Sequence, residues 1–219
     1  WSAPALLNSN GTGDLGSDDL PQLATDEAGN WVAVWRSDED LAGAGSDEDI
    51  FVATSTNGGL TWTAPALLNR NGDTDSGADG NPRIATNGTG RWIVVWDSTE
   101  NLAGTAQADA DIFVATSTDN GATWSVPALL NSNGTTDSGD DVWPKIASDS
   151  AGNWVVIWES DENLAGAAQT DADILVSTSS DDGVSWSAPA LLNSNGNTDS
   201  GADSFASIAT DGAGTWIST

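Results

Sequence analysis

Carboxylates at fixed spacing are the residues of this chain best suited to chemistry. The pattern D-x-G-x-D occurs four times, with its aspartates at Asp14 and Asp18, Asp75 and Asp79, Asp137 and Asp141, and Asp199 and Asp203. A second acidic loop occurs three times and sets a glutamate before a D-x-D: Glu39 with Asp47 and Asp49, Glu100 with Asp109 and Asp111, Glu162 with Asp171 and Asp173. Carboxylates at alternate positions, with glycine permitting a tight bend, suit a hard cation. Ca²⁺ is therefore the metal expected of the four D-x-G-x-D pairs together with Asp49, Asp111 and Asp173. The plainer reading is that Asp, Gly, Ser and Asn are turn formers whose charge keeps a tryptophan-rich β-protein dissolved. D-x-G-x-D lacks the twelve-residue spacing of an EF-hand loop, so both readings stand. Paired carboxylates can also hydrolyse glycosidic bonds, but among 33 acidic residues such a pair arises by chance and no catalytic residue is assigned.

Composition narrows the partners. The 219 residues carry 33 Asp and Glu against 5 Lys and Arg, a formal net charge of -28. Nucleic acid and anionic membrane surfaces would be repelled, which leaves cations, basic proteins or neutral sugars. No Cys and no His are present, so disulfides, thiolate sites and imidazole chemistry are excluded. No apolar run is long enough for membrane insertion. The 12 Trp and the dense Val, Ile and Leu supply a core that a disordered acidic chain would lack. An acidic surface rich in Asn, Gly, Thr and Ser, without Cys, leads us to expect an extracellular or cell-surface location.

The loops are positioned by a repeat. Trp1, Trp62, Trp124 and Trp186 are 61, 62 and 62 residues apart, and each is followed by a form of [ST]-x-P-A-L-L-N. Each unit reads as four short strands. In the second, strand one is Pro82–Thr86, strand two Arg91–Trp96, strand three Asp111–Thr116 and strand four Thr123–Leu130. In strand two, Trp92, Val94 and Trp96 point one way and Ile93 and Val95 the other, so the strand lies between two layers. Four antiparallel strands in about sixty residues, apolar on both faces, describe β-propeller blades stacked face to face. The expected fold class is all-β, with about three and a half blades: residues 1–20 give the last strand of a split blade plus a loop, 21–81, 82–143 and 144–205 give whole blades, and 206–219 begin another. Closing the ring needs further blades of a longer chain or a second copy.

Between strands three and four the pattern S-x-D-x-G-x-[ST]-W returns, as Ser117 to Trp124 and Ser179 to Trp186, and with Asn57 for the aspartate as Ser55 to Trp62. Asp or Asn followed by Gly suits a tight hairpin, and the Trp anchors the returning strand. This stretch resembles the Asp-box, or BNR repeat, of the sialidase-like β-propellers. The resemblance implies a structural role for Asn57, Gly59, Trp62, Asp119, Gly121, Trp124, Asp181, Gly183 and Trp186, at turns away from the ligand site.

Sialidases use three arginines, a tyrosine nucleophile assisted by a glutamate, and an aspartate acid/base. This sequence has no Tyr, and its arginines, Arg36, Arg70, Arg83 and Arg91, fall in only two repeats. The expected function is accordingly a non-catalytic module that binds a glycan or a cell-surface ligand or serves as a scaffold. The alternative is a part of an exo-sialidase or other glycoside hydrolase whose catalytic residues lie elsewhere. Trp143, where sister repeats have Leu20 and Asn81, is the one loop aromatic that could stack on a sugar, and packing beneath the loop is the equal alternative. The rim formed by the four-to-one and two-to-three loops is expected to be strongly negative.

Overall fold

The computed structural model of the chain describes residues 6–8, 13, 15–41, 44–45, 47–69, 77–100, 109–136, 138–162, 164, 171–193 and 201–219. Every regular element among them is a strand. The first sheet holds β1 (Asp18–Thr25), β2 (Trp31–Ser37), β3 (Asp49–Ser55) and β4 (Ala66–Leu67). The second holds β5 (Asp79–Thr86), β6 (Trp92–Ser98), β7 (Asp111–Ser117) and β8 (Ala128–Leu129). The third holds β9 (Asp141–Ser148), β10 (Trp154–Ser160), β11 (Asp173–Ser179) and β12 (Ala190–Leu191). β13 (Ile208–Thr210) and β14 (Trp216–Ser218) pair as a two-stranded sheet. In each four-stranded sheet the strands lie in chain order and all pairings are antiparallel.

Two-sided apolar strands build the core between sheets. Val32, Val34, Ile50, Val52 and Leu68 of the first sheet pack against Trp92, Val94, Trp96, Phe113, Ala115 and Trp124 of the second. Ile93, Val95, Ile112, Val114 and Leu130 leave the opposite face of the second sheet to meet Trp154, Val156, Trp158 and Leu175 of the third. The second sheet is thus a slab between the first and the third, as the alternation within its strand two requires. Fully burying a large apolar side chain is worth roughly 1.5–3 kcal/mol, so these seams, rather than the thin sheets, hold the chain together.

Strand four is shorter than the sequence predicts. Only Ala128 and Leu129 ladder with Val114 and Phe113, whereas the expected strand began at Thr123. Pro127 has no N–H to donate. Above it, Ser125 N donates to Thr116 O at 2.9 Å while the Ser125 hydroxyl accepts from Thr116 N at 3.1 Å, a side chain taking a backbone role. The first strands of successive sheets contact one another, β1 with β5, β5 with β9 and β9 with β13, so they line the inner edge of the stack.

Candidate functional site

The asparagine that ends each A-L-L-N run organises the acidic loops. Asn131 Nδ2 donates to Asp111 Oδ1 at 2.7 Å in its own sheet and to Asp141 Oδ2 at 2.6 Å in the next, and Asn131 Oδ1 accepts from Ile112 N at 3.0 Å. Asn69 does the same for Asp49 (2.6 Å), Asp79 (2.5 Å) and Ile50 N (3.0 Å). Asn193 does so for Asp173 and Asp203, both at 2.7 Å, and Asn8 reaches Asp18 at 2.5 Å. An amide nitrogen has two N–H groups, so one asparagine bridges two blades. Asn69, Asn131, Asp79 and Asp141 are at most 1 % exposed. Burial pushes the Asp111 carboxyl up to about 6; the Asn131 bond opposes this and the Asp109 charge adds to it.

Six of the eleven candidate metal aspartates therefore sit in asparagine bridges, and Asp18 takes a single bond from Asn8. Asp14, Asp75, Asp137 and Asp199 lie outside the described residues. Among the described residues no three acidic groups are close enough to hold a metal ion. The sequence reading passed over the bridging asparagines. The signal was present, since a polar residue ends an apolar run at the same place in four copies.

The S-x-D-x-G-x-[ST]-W turns are self-contained. Asp119 Oδ1 accepts from Thr123 N at 2.9 Å, Asp119 Oδ2 from the Thr123 hydroxyl at 2.6 Å, and the Ser117 hydroxyl accepts from Gly121 N at 3.0 Å. Asp181 repeats this with Ser185 and Ser179, and these bonds, the Ser185 hydroxyl first, hold its carboxyl down at about 2. Asn120 and Gly121 both have positive φ, 59° and 79°. A Cβ on Gly121 would lie 2.7 Å from Val32 Cγ2, and one on Gly183 would lie 2.2 Å from Ile93 Cδ1. The glycine thus seats each turn on the blade before it. In the first turn, with Asn57 for Asp, a Cβ on Gly59 would meet only Trp62, at 3.9 Å.

A different cluster lies at the inner edge. The repeats are nearly identical in their cores yet diverge at several places there, among them Leu20, Asn81, Trp143 and Phe205; Gln22, Arg83, Lys145 and Ser207; and Arg36, Asp97 and Glu159. The first set consists of left-handed residues, with φ of 49°, 50°, 58° and 59°; Leu20, Asn81 and Trp143 sit at register shifts in β1, β5 and β9, and Phe205 lies just before β13. A bulky residue with positive φ is disfavoured, and doubly so for Trp143, which precedes Pro144, whereas Phe205 precedes Ala206; such backbone persists only where surrounding bonds impose it. The bonds here run between blades. Trp143 N donates to Asp97 Oδ1 at 3.3 Å and Phe205 N to Glu159 Oε1 at 2.6 Å. As a result Trp143, on β9, is 41 % exposed and Phe205, in the stretch before β13, is 84 % exposed.

Three of the chain's five basic residues gather at the same edge. Arg36 is neutralised by Asp19 at 2.6 Å and Glu48 at 2.9 Å. Lys145 Nζ donates to Trp143 O at 3.1 Å. Burial lowers the pKa of Lys145, with the Arg83 charge adding to it while Glu159 and Asp97 oppose. Burial likewise raises Asp97 and lowers Arg83. The charges of Arg83, Lys145, Asp97 and Glu159, on strands β5, β9, β6 and β10, balance one another. Neither Asp97 nor Glu159 stood out in the sequence, where each is one charge closing a strand. What marked them was variation between copies alike elsewhere. Two exposed aromatic faces beside fixed donors and acceptors can stack on a flat apolar ligand face and bind its hydroxyls.

No known protein family matches the chain, and no curated protein does. Solved structures do. A Hadza microbial sialidase, Hz136, is 18 % identical over 77 % of this chain and 36 % of its own, with a TM-score of 0.58. Zg3597, a family 117 glycoside hydrolase of the marine bacterium Zobellia galactanivorans, is 14 % identical over 91 % and 61 %, with a TM-score of 0.56. A Trypanosoma rangeli sialidase in complex with 2,3-difluorosialic acid is 17 % identical over 78 % and 30 %, with a TM-score of 0.52. The chain thus spans less than two thirds of each, and identities this low carry the fold. The chain has a sialidase-like β-propeller fold.

Proposed function

We propose that this propeller segment is a glycan-recognition module whose binding surface is the inner edge of the second and third blades and β13. The observation that carries the reading is the exposed pair Trp143 and Phe205, held in left-handed backbone by Asp97 and Glu159 of the preceding blades. Aromatic faces take the apolar side of a pyranose, and Arg83, Lys145, Asp97 and Glu159 offer donors and acceptors to its hydroxyls. Two cations against two carboxylates leave the surface without net charge, which suits a neutral sugar better than a sialic acid. The role is recognition at a cell surface or in the extracellular space. With no Tyr in these 219 residues the sialidase nucleophile has no counterpart here.

Similarity in fold to a sialidase and a family 117 glycoside hydrolase supports the second reading, a portion of a larger glycoside hydrolase completed by other residues. A glycan array separates the two when run beside a fluorogenic sialoside assay. Recognition predicts retention of neutral oligosaccharides by the chain, loss of that retention in Trp143→Ala, and no turnover. Turnover by the 219-residue chain would overturn it. Ca²⁺ in the acidic loops is kept as a separate proposal, read by calorimetric titration after EDTA treatment: no heat and no change in melting temperature would remove it.

A further inference from the structure

We propose that Asn87 is a site of spontaneous deamidation, and that its conversion to aspartate loosens the seam between the second and third sheets. Gly88 N attacks Asn87 Cγ, the new C–N bond closes a succinimide, and Nδ2 leaves as ammonia with the proton given up by Gly88 N. Water then adds to one imide carbonyl and opens the ring to aspartate or isoaspartate. A glycine after the asparagine leaves the attacking nitrogen without side-chain cover.

Four Asn-Gly pairs lie wholly among the described residues, at Asn57, Asn87, Asn120 and Asn133, whereas those at Asn10, Asn71 and Asn195 do not. Asn87 combines an activated carbonyl with a loosely held nucleophile. Its Oδ1 accepts from two backbone N–H groups, Thr89 N at 2.9 Å and Arg91 N at 3.2 Å, which are placed to stabilise the charge that grows on this oxygen as the carbon becomes tetrahedral. Gly88 is exposed, a Cβ there would have nothing within 4 Å, and its N–H reaches the Thr86 hydroxyl at 3.2 Å. The other attacking nitrogens are held more closely, each at 3.0 Å: Gly58 N by Gly29 O, Gly121 N by the Ser117 hydroxyl, and Gly134 N by Asn131 O.

The consequence falls on the seam. Asn87 Nδ2 donates to Asp182 Oδ1, in the turn after β11, at 3.2 Å. An aspartate at 87 has no N–H to give and sets two carboxylates against each other. The turn between β5 and β6 survives the change, because its counterparts are already aspartates that accept the same two backbone bonds: Asp26 from Ala28 N and Asn30 N, Asp149 from Ala151 N and Asn153 N, Asp211 from Ala213 N and Thr215 N. At the corresponding places of the first seam the sequence sets Asp26 and Asn120, so each seam has one amide and one carboxylate. Deamidation of Asn87 breaks that complement in the second.

The test ages the folded 219-residue chain at mildly alkaline pH and follows each asparagine by peptide mapping and mass spectrometry. Asn87 is expected to convert about tenfold faster than Asn57, Asn120 or Asn133, the scale of one hydrogen bond in a rate, and the ranking is expected to vanish in urea. Asn87→Asp is expected to lower the melting temperature, and Asn87→Asp with Asp182→Asn, which exchanges amide and carboxylate, to restore it. Should Asn87→Asp fail to fold, ageing of Asp182→Ala gives the same reading: Asn87 converts as before, without the fall in melting temperature that accompanies conversion in the parent chain. Conversion of Asn87 no faster than at the other three, a ranking that persists in urea, or a melting temperature that Asp182→Asn does not restore overturns the proposal.

Discussion

Replacing Asn131 by alanine tests the bridge between blades. The change removes two donors from the carboxylates of Asp111 and Asp141 and the acceptor for Ile112 N, at a site where Asn131 and Asp141 have no exposed surface. A buried polar group stripped of its partner costs about 1–3 kcal/mol, more when charged. Three such groups give a loss of roughly 3–9 kcal/mol, a large share of the usual 5–15 kcal/mol of a folded domain. Urea unfolding followed by tryptophan fluorescence reads the loss as a lowered midpoint at unchanged slope. The series carries its own control. Asn69 is as buried as Asn131, while Asn193 is half-buried and its bond from Ile174 N is longer, at 3.3 Å, so Asn193→Ala should cost least. A triple change, Asn131→Leu with Asp111→Asn and Asp141→Asn, should recover part of the loss, because it removes the charges that the amide serves. A cost below about 1 kcal/mol for Asn131→Ala, or equal costs at all three asparagines, would refute the assignment.

Other substitutions read other parts of the account. Gly121→Ala and Gly183→Ala combine positive φ with a Cβ driven into Val32 or Ile93 and should each cost about 2–4 kcal/mol; Gly59→Ala meets no neighbouring blade and should cost about 1–2 kcal/mol in the same denaturation assay. Stability should peak near pH 4, where its two limbs meet. Between the ordinary 3.8 and about 6 the folded chain holds on Asp111 a proton that the unfolded chain has released, so stability falls as pH rises through that window, by up to about 1.4 kcal/mol per unit, and Asp111→Asn should flatten the slope. Below pH 4 the sign reverses: Asp181, at about 2, and Asp119, also lowered, contribute stability that is lost as pH falls towards their folded values. Thermal melts from pH 2 to 8 test both limbs.

The fold was legible because its determinants are periodic. The alternation through Trp92, Val94 and Trp96 against Ile93 and Val95 set both faces of strand two, and the spacing of Trp62, Trp124 and Trp186 set the sheet boundaries. Strand four was overextended because apolar content outweighed Pro127, whose missing N–H ends the ladder. The acidic loops were found, but pairing across blades is not written in local spacing: Asn131 and Asp141 are ten residues apart and Asn131 and Asp111 twenty. The inner-edge cluster was the least visible, since Asp97, Lys145 and Phe205 come from β6, β9 and the stretch before β13 and meet only when the blades stack. Trp143 alone was singled out, through its contrast with Leu20 and Asn81.

Hydrogen exchange of the chain with and without a saturating neutral oligosaccharide chosen from the array locates the proposed binding surface without relying on a variant. Slowed exchange at Trp143, Lys145, Phe205 and Ser207, with the S-x-D-x-G-x-[ST]-W turns unchanged, is the predicted result. Protection centred on those turns or on the acidic loops, with the inner edge unaffected, would contradict it.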